Sequence, residues 1–532
     1  MNGLPTELLI ESLSHLPLSD LQLYYNDVQL RPYIFNIFFK NILILASVSE
    51  ETDAEEDDFE LEADSTFQFN DGKYIKFNSI LSFLKFASNY EDFLNPDTLE
   101  VESIWNLFPL YKLYPNLLKK CQNIKINNKS ATNIINANEC YSNFDNIKAF
   151  TINGHTNYQN FLITANEVFS NLRTLGINNV DFDYSLFNTK LPSVNTLEIG
   201  DCQIKSLKLI PANLKRLLIK SLPNDYSLSS LQCKNIEELV VGNVDDVDFT
   251  RFNHLTALTI SSHRTTQLNQ LKLPPSIKSL TIRNSKLSLN DILNLPLLKL
   301  ELENSFFVDE ANVVLKNLLS FTYILNDCQS RVNFNLPNEL KDLSIKLSQY
   351  TNEIGNVHFL NESSAKVEIS DDYFNKSYIQ LPLDLKNLNL TQNSLTNTHS
   401  LQFPPHLAKL NLSQNKLSSL ENSNIQLLQD LEYLDLSYND FVDFNNHLHL
   451  PNNLRILSLS KNPLVSYSNE NNLYQLNLSH ISKPLDIHLS NTVNSLSLKD
   501  VDTSSINLEQ LTQNLGHFAH LPKFNNLVGY NI

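Results

Sequence analysis

The clearest pattern in the chain is a regular spacing of leucines with polar residues between them. It reads LKNLNLTQNSL from Leu385, LAKLNLSQNKL from Leu407, LEYLDLSYNDF from Leu431 and LRILSLSKNPL from Leu454. All four copies fit L-x-x-L-x-L-x-x-N-x-[LF] and begin 22 to 24 residues apart. Because alternating apolar and polar residues are typical of a strand with one buried face, each copy predicts a short strand followed by a turn.

Weaker copies extend this pattern in both directions. They read IKAFTI, LRTLGI, VNTLEI, LKRLLI, IEELVV, LTALTI and IKSLTI before the regular copies, and LYQLNL and VNSLSL after them. We therefore predict about eighteen turns over residues 116–503, stacked so that each covers the apolar side of its neighbour in one parallel sheet. The short period leaves little room for a helix behind each strand, so extended or 3₁₀ segments are expected there.

One asparagine follows each regular strand, at Asn393, Asn415, Asn439 and Asn462. An amide carries both donors and acceptors for backbone groups of neighbouring turns, so these side chains predict an internal ladder. In several weaker copies the asparagine is displaced by one place.

The regular copies resemble the leucine-rich repeat. The resemblance implies a solenoid, or horseshoe, with a concave parallel β-sheet and mostly extended or 3₁₀ convex segments. Small neutral side chains with a few larger ones on the concave face would suit a protein partner, although such residues are also simply tolerated on an exposed sheet. The predicted substrate-binding residues are Lys409, Asn411, Ser413, Tyr433, Asp435, Ser437 and Ile456. The poorly matching copy that contains Phe321 and Tyr323 is the second candidate for the substrate-binding site, because irregular turns of a solenoid often mark function.

The N-terminus carries two short apolar stripes, LPTELLIESLSHLPLSDLQLY, separated by a proline. Two helices of this length cannot bury their apolar faces against each other alone. The stretch resembles the leading half of the F-box, which implies docking to a Skp1-type adaptor and cullin complex of an SCF-type ubiquitin ligase. The matching residues, predicted to bind the adaptor, are Leu4, Pro5, Leu8, Leu9, Leu13, Leu16, Pro17, Leu18 and Leu21.

This N-terminal resemblance has an alternative. The third helix of the family usually carries V-C-[KR]-x-W, whereas this chain reads NDVQLRPYIFNIFFKN, in which Pro32 is expected to interrupt a helix. In this alternative interpretation, residues 4–40 are only a cap on the first repeat.

Five regions are predicted along the chain. An F-box-like helical segment (1–45) precedes an acidic loop (46–66), which has ten carboxylates between residues 50 and 64. Residues 67–115 contain a hairpin signal, TFQFNDGKYIKF, and a helical stretch, SILSFLKFASNYEDFL. The repeats (116–503) follow, and residues 504–532 form a C-terminal cap and tail.

Composition narrows the function. A net charge of −18 argues against nucleic-acid and anionic-membrane partners, and no long apolar run predicts a membrane span. Five dispersed cysteines indicate a reducing compartment, cytoplasmic or nuclear. No phosphate-binding glycine loop, zinc spacing or catalytic motif is present, so we expect no cofactor, no metal and no enzyme activity. The favoured interpretation is a non-catalytic substrate receptor of an SCF-type ligase with an unknown protein substrate; the alternative is a repeat scaffold with no ubiquitin link.

Overall fold

The computed structural model forms two compact units, unit 1 (residues 1–246) and unit 2 (residues 247–532). It describes residues 30–46, 68–70, 74–128, 134–136, 146–154, 159–162, 169–182, 184–202, 207–220, 228–243, 248–268, 271–288, 292, 294–307, 311–314, 316–325, 332–347, 357–361, 379–399, 401–445, 450–469, 473–481, 485–489, 493 and 495–501.

Unit 1 is built on one main sheet whose strands are short. Its strands are β1 (Asn41–Ile44), β2 (Gln68–Asn70), β3 (Tyr74–Phe77), β4 (Thr98–Val101), β5 (Asn123–Asn127), β6 (Ile134–Asn136), β7 (Ala149–Asn153), β8 (Gln159–Leu162), β9 (Thr174–Asn178), β10 (Val180–Asp181), β11 (Thr196–Ile199), β12 (Arg216–Ile219) and β13 (Glu238–Gly242). The main sheet runs β2-β3-β1-β4-β5-β7-β9-β11-β12-β13, and β6, β8 and β10 form a second sheet. All main-sheet pairs are parallel except β2 with β3.

The first part of unit 1 also carries helices. They are α1 (Arg31–Phe38), α2 (Ile80–Tyr90), α3 (Leu107–Leu113) and α4 (Pro115–Lys120), with α5 (Leu186–Thr189) further along. Short 3₁₀ segments lie at Glu91–Phe93, Ile104–Asn106, Leu207–Leu209 and Leu228–Ser230. Helix α2 begins at a capping box, because the Ser79 hydroxyl accepts from the Ser82 N–H at 3.1 Å and Ser82 Oγ accepts from the Ser79 N–H.

Helix α1 belongs to the core of unit 1. Ile34 and Phe35 are fully buried, and the Phe35 ring stacks on Phe86 of α2 with centroids 5.9 Å apart. Phe39, just after α1, packs on the same Phe86 ring at 5.0 Å. Pro32 does not interrupt this helix, contrary to the prediction, because it lies in the first turn, where a missing N–H leaves no hydrogen bond unmade.

Unit 2 repeats the same architecture. Its strands are β14 (Ala257–Gln267), β15 (Ser279–Leu287), β16 (Lys299–Glu303), β17 (Phe306–Phe307), β18 (Ala311–Val314), β19 (Ser320–Leu325), β20 (Val332–Leu336), β21 (Asp342–Leu347), β22 (Val357–Asn361), β23 (Ile379–Gln380), β24 (Asn387–Asn389), β25 (Leu401–Gln402), β26 (Lys409–Asn411), β27 (Tyr433–Asp435), β28 (Asp443–Phe444), β29 (Ile456–Ser458), β30 (Ser466–Asn469), β31 (Gln475–Asn477), β32 (Asp486–Leu489) and β33 (Ser495–Ser497). A 3₁₀ segment spans Ile425–Leu427.

The main sheet of unit 2 is parallel, with one register shift in the β14–β15 pair between Ser261 and Thr266. It runs β14-β15-β16-β19-β21-β24-β26-β27-β29-β31-β33, with Leu388, Leu410, Leu434 and Leu457 opposite one another and buried. Behind it lie the short parallel sheets β18-β20-β22, β23-β25 and β28-β30-β32. The predicted fold class, a parallel sheet backed mostly by extended segments, is thus confirmed.

Two features of the ladder differ from expectation. The parallel ladder begins at β3 and β1, well before residue 116, and β4 joins it with its Leu99 and Val101 fully buried. In unit 2, neighbouring turns are 22 residues apart at β24 and β26, but 45 residues separate Asp342 of β21 from Asn387 of β24, which pair directly. The described strands within that turn, β22 and β23, belong to the rear sheets.

An antiparallel strand pair and a helix occur where the sequence predicts a hairpin and a helical stretch, although β3 also pairs in parallel with β1. Strands β2 and β3 are antiparallel, with Gln68 opposite Lys76, and SILSFLKFASNY begins with the cap residue of α2 and continues through the helix. The acidic run at 50–64 and the tail at 504–532 lie outside the described residues.

Candidate functional site

The concave face of unit 2 is the face of its main sheet opposite the leucine core. At each strand the residues flanking the buried leucine point to this face, because side chains alternate along a strand. Lys409, Asn411, Tyr433 and Asp435 flank Leu410 and Leu434 in this way, with Lys409 opposite Tyr433 and Asn411 opposite Asp435. Ile456 of β29 continues the first of these two rows.

Five of the seven predicted substrate-binding residues therefore share one accessible surface. Lys409 is exposed, while Asn411, Tyr433, Asp435 and Ile456 are half-buried.

Ser413 and Ser437 do not belong to that surface, contrary to the prediction. Each is only 7% exposed. Their strands end at Asn411 and Asp435, so the side-chain alternation that predicts an outward serine no longer applies. The Ser413 hydroxyl instead bonds to Thr391 Oγ1 at 3.1 Å, and that of Ser437 bonds to Ser458 Oγ at 2.9 Å.

The second-choice site, the turn of Phe321 and Tyr323, is also corrected. Both side chains are fully buried and occupy the two leucine positions of β19, opposite Leu300 and Leu302 of β16. Their rings pack on Phe334 at 5.0 Å and 5.2 Å. The turn is irregular in sequence because aromatic rings replace leucines in the core.

A depression of about 240 Å³ lies on the concave face of unit 2. It crosses β19, β21, β24, β26 and β27. The β21–β24 pair, which the 45-residue turn connects, therefore lies near its centre. The lining residues are Phe321, Thr322, Asp342, Leu343, Ser344, Asn387, Leu388, Asn389, Lys409, Asn411 and Tyr433. Lys409, Asn411 and Tyr433 belong to the predicted site, and Phe321 belongs to the second-choice turn; the sequence pattern does not predict Thr322, Asp342, Ser344, Asn387 or Asn389.

Some polar groups in this depression are already hydrogen-bonded within the protein, and others are not. Asn387 Nδ2 donates to Asp342 Oδ1 at 2.6 Å. Asn389 Oδ1 accepts from the Thr391 N–H at 3.1 Å, and Asn411 Oδ1 accepts from the Ser413 N–H at 2.9 Å. These two Asx turns fix the orientation of both amides, while their Nδ2 groups bond to no other described residue.

Tyr433 closes one side of the depression. Its hydroxyl lies 3.4 Å from Asp435 Oδ2 and donates to it. Partial burial, together with the charge of Asp435 and this hydrogen bond, raises the pKa of the Tyr433 phenol above its usual value. Tyr433 is therefore protonated at neutral pH and presents a neutral ring edge to the depression.

The predicted asparagine ladder is confirmed beneath this surface. Asn439 is representative: its Oδ1 accepts from the Leu417 N–H of the preceding turn at 2.9 Å, and its Nδ2 donates to Leu412 O at 2.9 Å and Leu436 O at 3.0 Å. Asn393, Asn415 and Asn462 make equivalent bonds. The ladder has a structural role: it supports the turn that follows each concave strand.

The described residues show no other chemical site. They contain no group of three or more histidines, cysteines and carboxylates placed to hold a metal. Cys121, Cys202 and Cys233 are buried free thiols, and burial, with a smaller effect of Asp97, raises the pKa of Cys121 to about 12, which keeps this thiol unreactive. No described helix is long and apolar enough to span a membrane. The nine predicted adaptor-binding residues, Leu4 to Leu21, lie outside the described residues.

Comparison with known proteins points to the same repeat. A family model described as leucine-rich repeat matches residues 384–441 and 405–464. No curated protein matches the chain.

Several solved leucine-rich repeat proteins are similar in fold. A circular leucine-rich repeat protein, CroV588, is 17% identical with a TM-score of 0.38, over 76% of this chain and 66% of its own. The Toll–Spätzle complex of Drosophila gives 13% identity and 0.35, over 76% of this chain and 63% of that one. The protein LIC12759 of Leptospira interrogans gives 15% identity and 0.29, over 76% and 90%. This chain is a parallel-sheet solenoid whose turns at residues 384–464 are leucine-rich repeats.

Proposed function

We propose that the protein is a non-catalytic receptor that binds a protein partner on the concave face of unit 2, centred on the depression between β19 and β27. The observation that carries this proposal is that the depression is lined by unused donors, at Asn389, Asn411 and Lys409. Asx turns orient the two amides, and the ammonium of Lys409 is exposed. A rigid parallel sheet also loses little conformational entropy on binding.

Selection of binding peptides tests the proposal. A displayed random peptide library is selected against the full chain, and binders are measured against Ser344→Arg, which fills the depression. Gln426→Arg, an equal substitution in the exposed 3₁₀ segment behind the sheet, is the matched control. Binding that is lost with Ser344→Arg and kept with Gln426→Arg supports the proposal. A library that yields no binder sensitive to Ser344→Arg rejects it.

A finer proposal is that the receptor acts in an SCF-type ubiquitin ligase. The observation that favours it is the F-box-like pattern at Leu4–Leu21, with leucines at helical spacing on both sides of Pro17. The alternative is a repeat scaffold whose residues 4–40 act as a cap. The packing of α1 on α2 favours it, because Ile34 and Phe35 are fully buried in unit 1.

Co-purification with a Skp1-type adaptor separates these two candidates. If the protein is a receptor of an SCF-type ligase, the wild-type chain should recover the adaptor. Leu8→Asp should abolish this recovery without changing the thermal unfolding of the chain. Failure to recover the adaptor with a folded wild-type chain removes the ubiquitin link. Unfolding of unit 1 by Leu8→Asp identifies the segment as a cap.

A further inference from the structure

We propose that the depression on the concave face of unit 2 holds a single acidic side chain, glutamate or aspartate, of the partner protein. This inference rests on the proposed function and specifies the chemistry of the same site. It follows from which donors and acceptors around the depression remain unused.

The cation of the depression has no counter-ion. Lys409 is exposed and makes neither an ion pair nor a side-chain hydrogen bond with any described residue. Some lysines of the same unit are paired: Lys341 Nζ lies 2.9 Å from Asp384 Oδ2, and Lys299 Nζ lies 3.8 Å from Glu301 Oε2. Lys409 differs from the other unpaired lysines in lining the depression, where its ammonium is available to a carboxylate of a partner.

Two amide donors lie beside this cation. Asn389 and Asn411 are direct neighbours across β24 and β26, so their Cα atoms are about 4.8 Å apart. Since each Oδ1 accepts from the protein's own backbone, the free Nδ2 groups form a pair of donors. A carboxylate has two oxygens and accepts several hydrogen bonds, which suits two amides and one ammonium.

The two nearby aspartates limit the charge of the occupant. Asp342 accepts from Asn387 Nδ2, and Asp435 accepts from Tyr433 OH and from the Ser437 N–H at 2.9 Å. No ion pair joins either carboxylate to Lys409 among the described residues. Their negative charges disfavour a doubly charged occupant more than a singly charged one, so a glutamate should bind better than a phosphoserine.

The shape of the site favours a side chain of a protein over a free anion. A volume of about 240 Å³ corresponds to roughly eight water molecules, enough for a carboxylate and its methylene stem. The depression is open to solvent along the sheet, so a small ion would stay hydrated there. A carboxylate presented by a surrounding interface has the rest of that interface to exclude water.

The test uses a random peptide library joined at its C-terminus to the display protein, so that no free terminal carboxylate is present. Binders to the full chain that are sensitive to Ser344→Arg should share glutamate or aspartate at one position. On the wild-type chain, replacing that residue with glutamine or phosphoserine should weaken binding roughly tenfold or more. On Lys409→Met the glutamine replacement should have almost no further effect.

Asn411→Asp provides the sharpest variant. It keeps the Asx acceptor and removes the free donor, and the chain already accepts aspartate at the equivalent position of the next turn, where Asp435 Oδ1 accepts from the Ser437 N–H. Affinity for the synthetic peptide should fall roughly tenfold or more. The matched control is Asn477→Asp, since Asn477 makes the same Asx turn with the Ser479 N–H outside the depression, and it should change affinity less than about twofold.

The outcomes separate this inference from the proposed function. Concave-face binders without an acidic position, or equal losses from Asn411→Asp and Asn477→Asp, overturn the inference and leave the receptor function standing. Binders found only in a library with a free C-terminus assign the site to a chain terminus and overturn the side-chain assignment. Absence of any binder sensitive to Ser344→Arg overturns both.

Discussion

Two regions of unit 2 turn the chain away from the sheet in the same way but hold the turn with different side chains. In the regular turns of β24 to β29, buried amides such as Asn439 bond across to the preceding turn. In the turns of β15 and β16, the equivalent positions are Ser285 and Ser305, both fully buried. Ser305 Oγ accepts from the Ser285 N–H at 3.1 Å and donates to Ile282 O at 3.0 Å.

The residue one place before the buried asparagine or serine differs in the opposite sense: here the serine turns have asparagine and the regular turns do not. It has a left-handed backbone in both regions, with φ of 54° at Asn284 and 47° at Asn304, and 55° at Gln414 and Tyr438. Asparagine tolerates this conformation better than other residues with a Cβ. The serine turns therefore place asparagine where the backbone is strained, whereas the regular turns place it where backbone groups are buried.

This exchange explains the asparagines that are displaced by one place in the sequence. An asparagine can bond to buried backbone groups of the turn, or it can occupy the left-handed position one residue earlier. A shift by one residue changes the first role into the second. The regular turns support their concave strands with up to five bonds from one amide, and three of the five strands that the depression crosses, β24, β26 and β27, belong to those turns.

The leucine core should contribute equally in both regions. Leu434→Ala and Leu302→Ala each remove a fully buried side chain, and each should lower the free energy of unfolding by about 2–5 kcal/mol. Urea unfolding followed by circular dichroism measures both. A cost for Leu302→Ala less than half of that for Leu434→Ala would show that the two regions do not share one kind of core.

The ladder residues should differ. Asn439→Ala leaves a buried N–H and several carbonyls unpaired and should cost about 2–4 kcal/mol, whereas Ser305→Ala should cost about 1–2 kcal/mol. Asn439→Ser serves as the control, because a hydroxyl is too short to replace the bond to Leu412 O. Full recovery of stability by Asn439→Ser in the same urea experiment would contradict the distinction between the two ladders.

The left-handed position should respond in opposite directions. Asn284→Gln should destabilise unit 2 by about 1 kcal/mol, and Gln414→Asn should stabilise it by a few tenths of that amount. The gain at Gln414 is smaller because the change also removes its side-chain hydrogen bond with Gln392. Thermal unfolding of both single variants checks this, and a change of the same sign in both would refute the strain argument.

The smallest effect on stability is expected at the proposed site. Lys409 has no described ion pair, so Lys409→Met should change the free energy of unfolding by less than about 0.5 kcal/mol. Lys341→Met, which breaks the exposed pair with Asp384, should cost no more than about 1 kcal/mol. A large loss for Lys409→Met in urea unfolding would mean that this lysine has a structural role and would weaken its assignment to binding.

The sequence predicts those parts of the fold that repeat. Leucine spacing is sufficient for β24 to β29, because every turn faces the same packing constraint. It is not sufficient for β4, whose TLEV strand lacks the following asparagine, or for the 45-residue turn between β21 and β24. Side-chain alternation predicts Ser413 and Ser437 at the surface only if it continues beyond the last residue of each strand, and it does not. The depression depends on side chains from five turns meeting at one place, which no single repeat encodes.

Photo-crosslinking with a selected peptide reports where the partner binds on the protein, so it can place the partner on the depression or elsewhere. The peptide carries a diazirine next to its acidic residue and is irradiated with the full chain, and the adducts are mapped by mass spectrometry. The account predicts adducts on the depression, at Thr322, Ser344, Asn387 to Asn389, Lys409 to Asn411 or Tyr433, and their loss in Ser344→Arg. Adducts on the 3₁₀ segment Ile425–Leu427 or on unit 1 that persist in Ser344→Arg would contradict it.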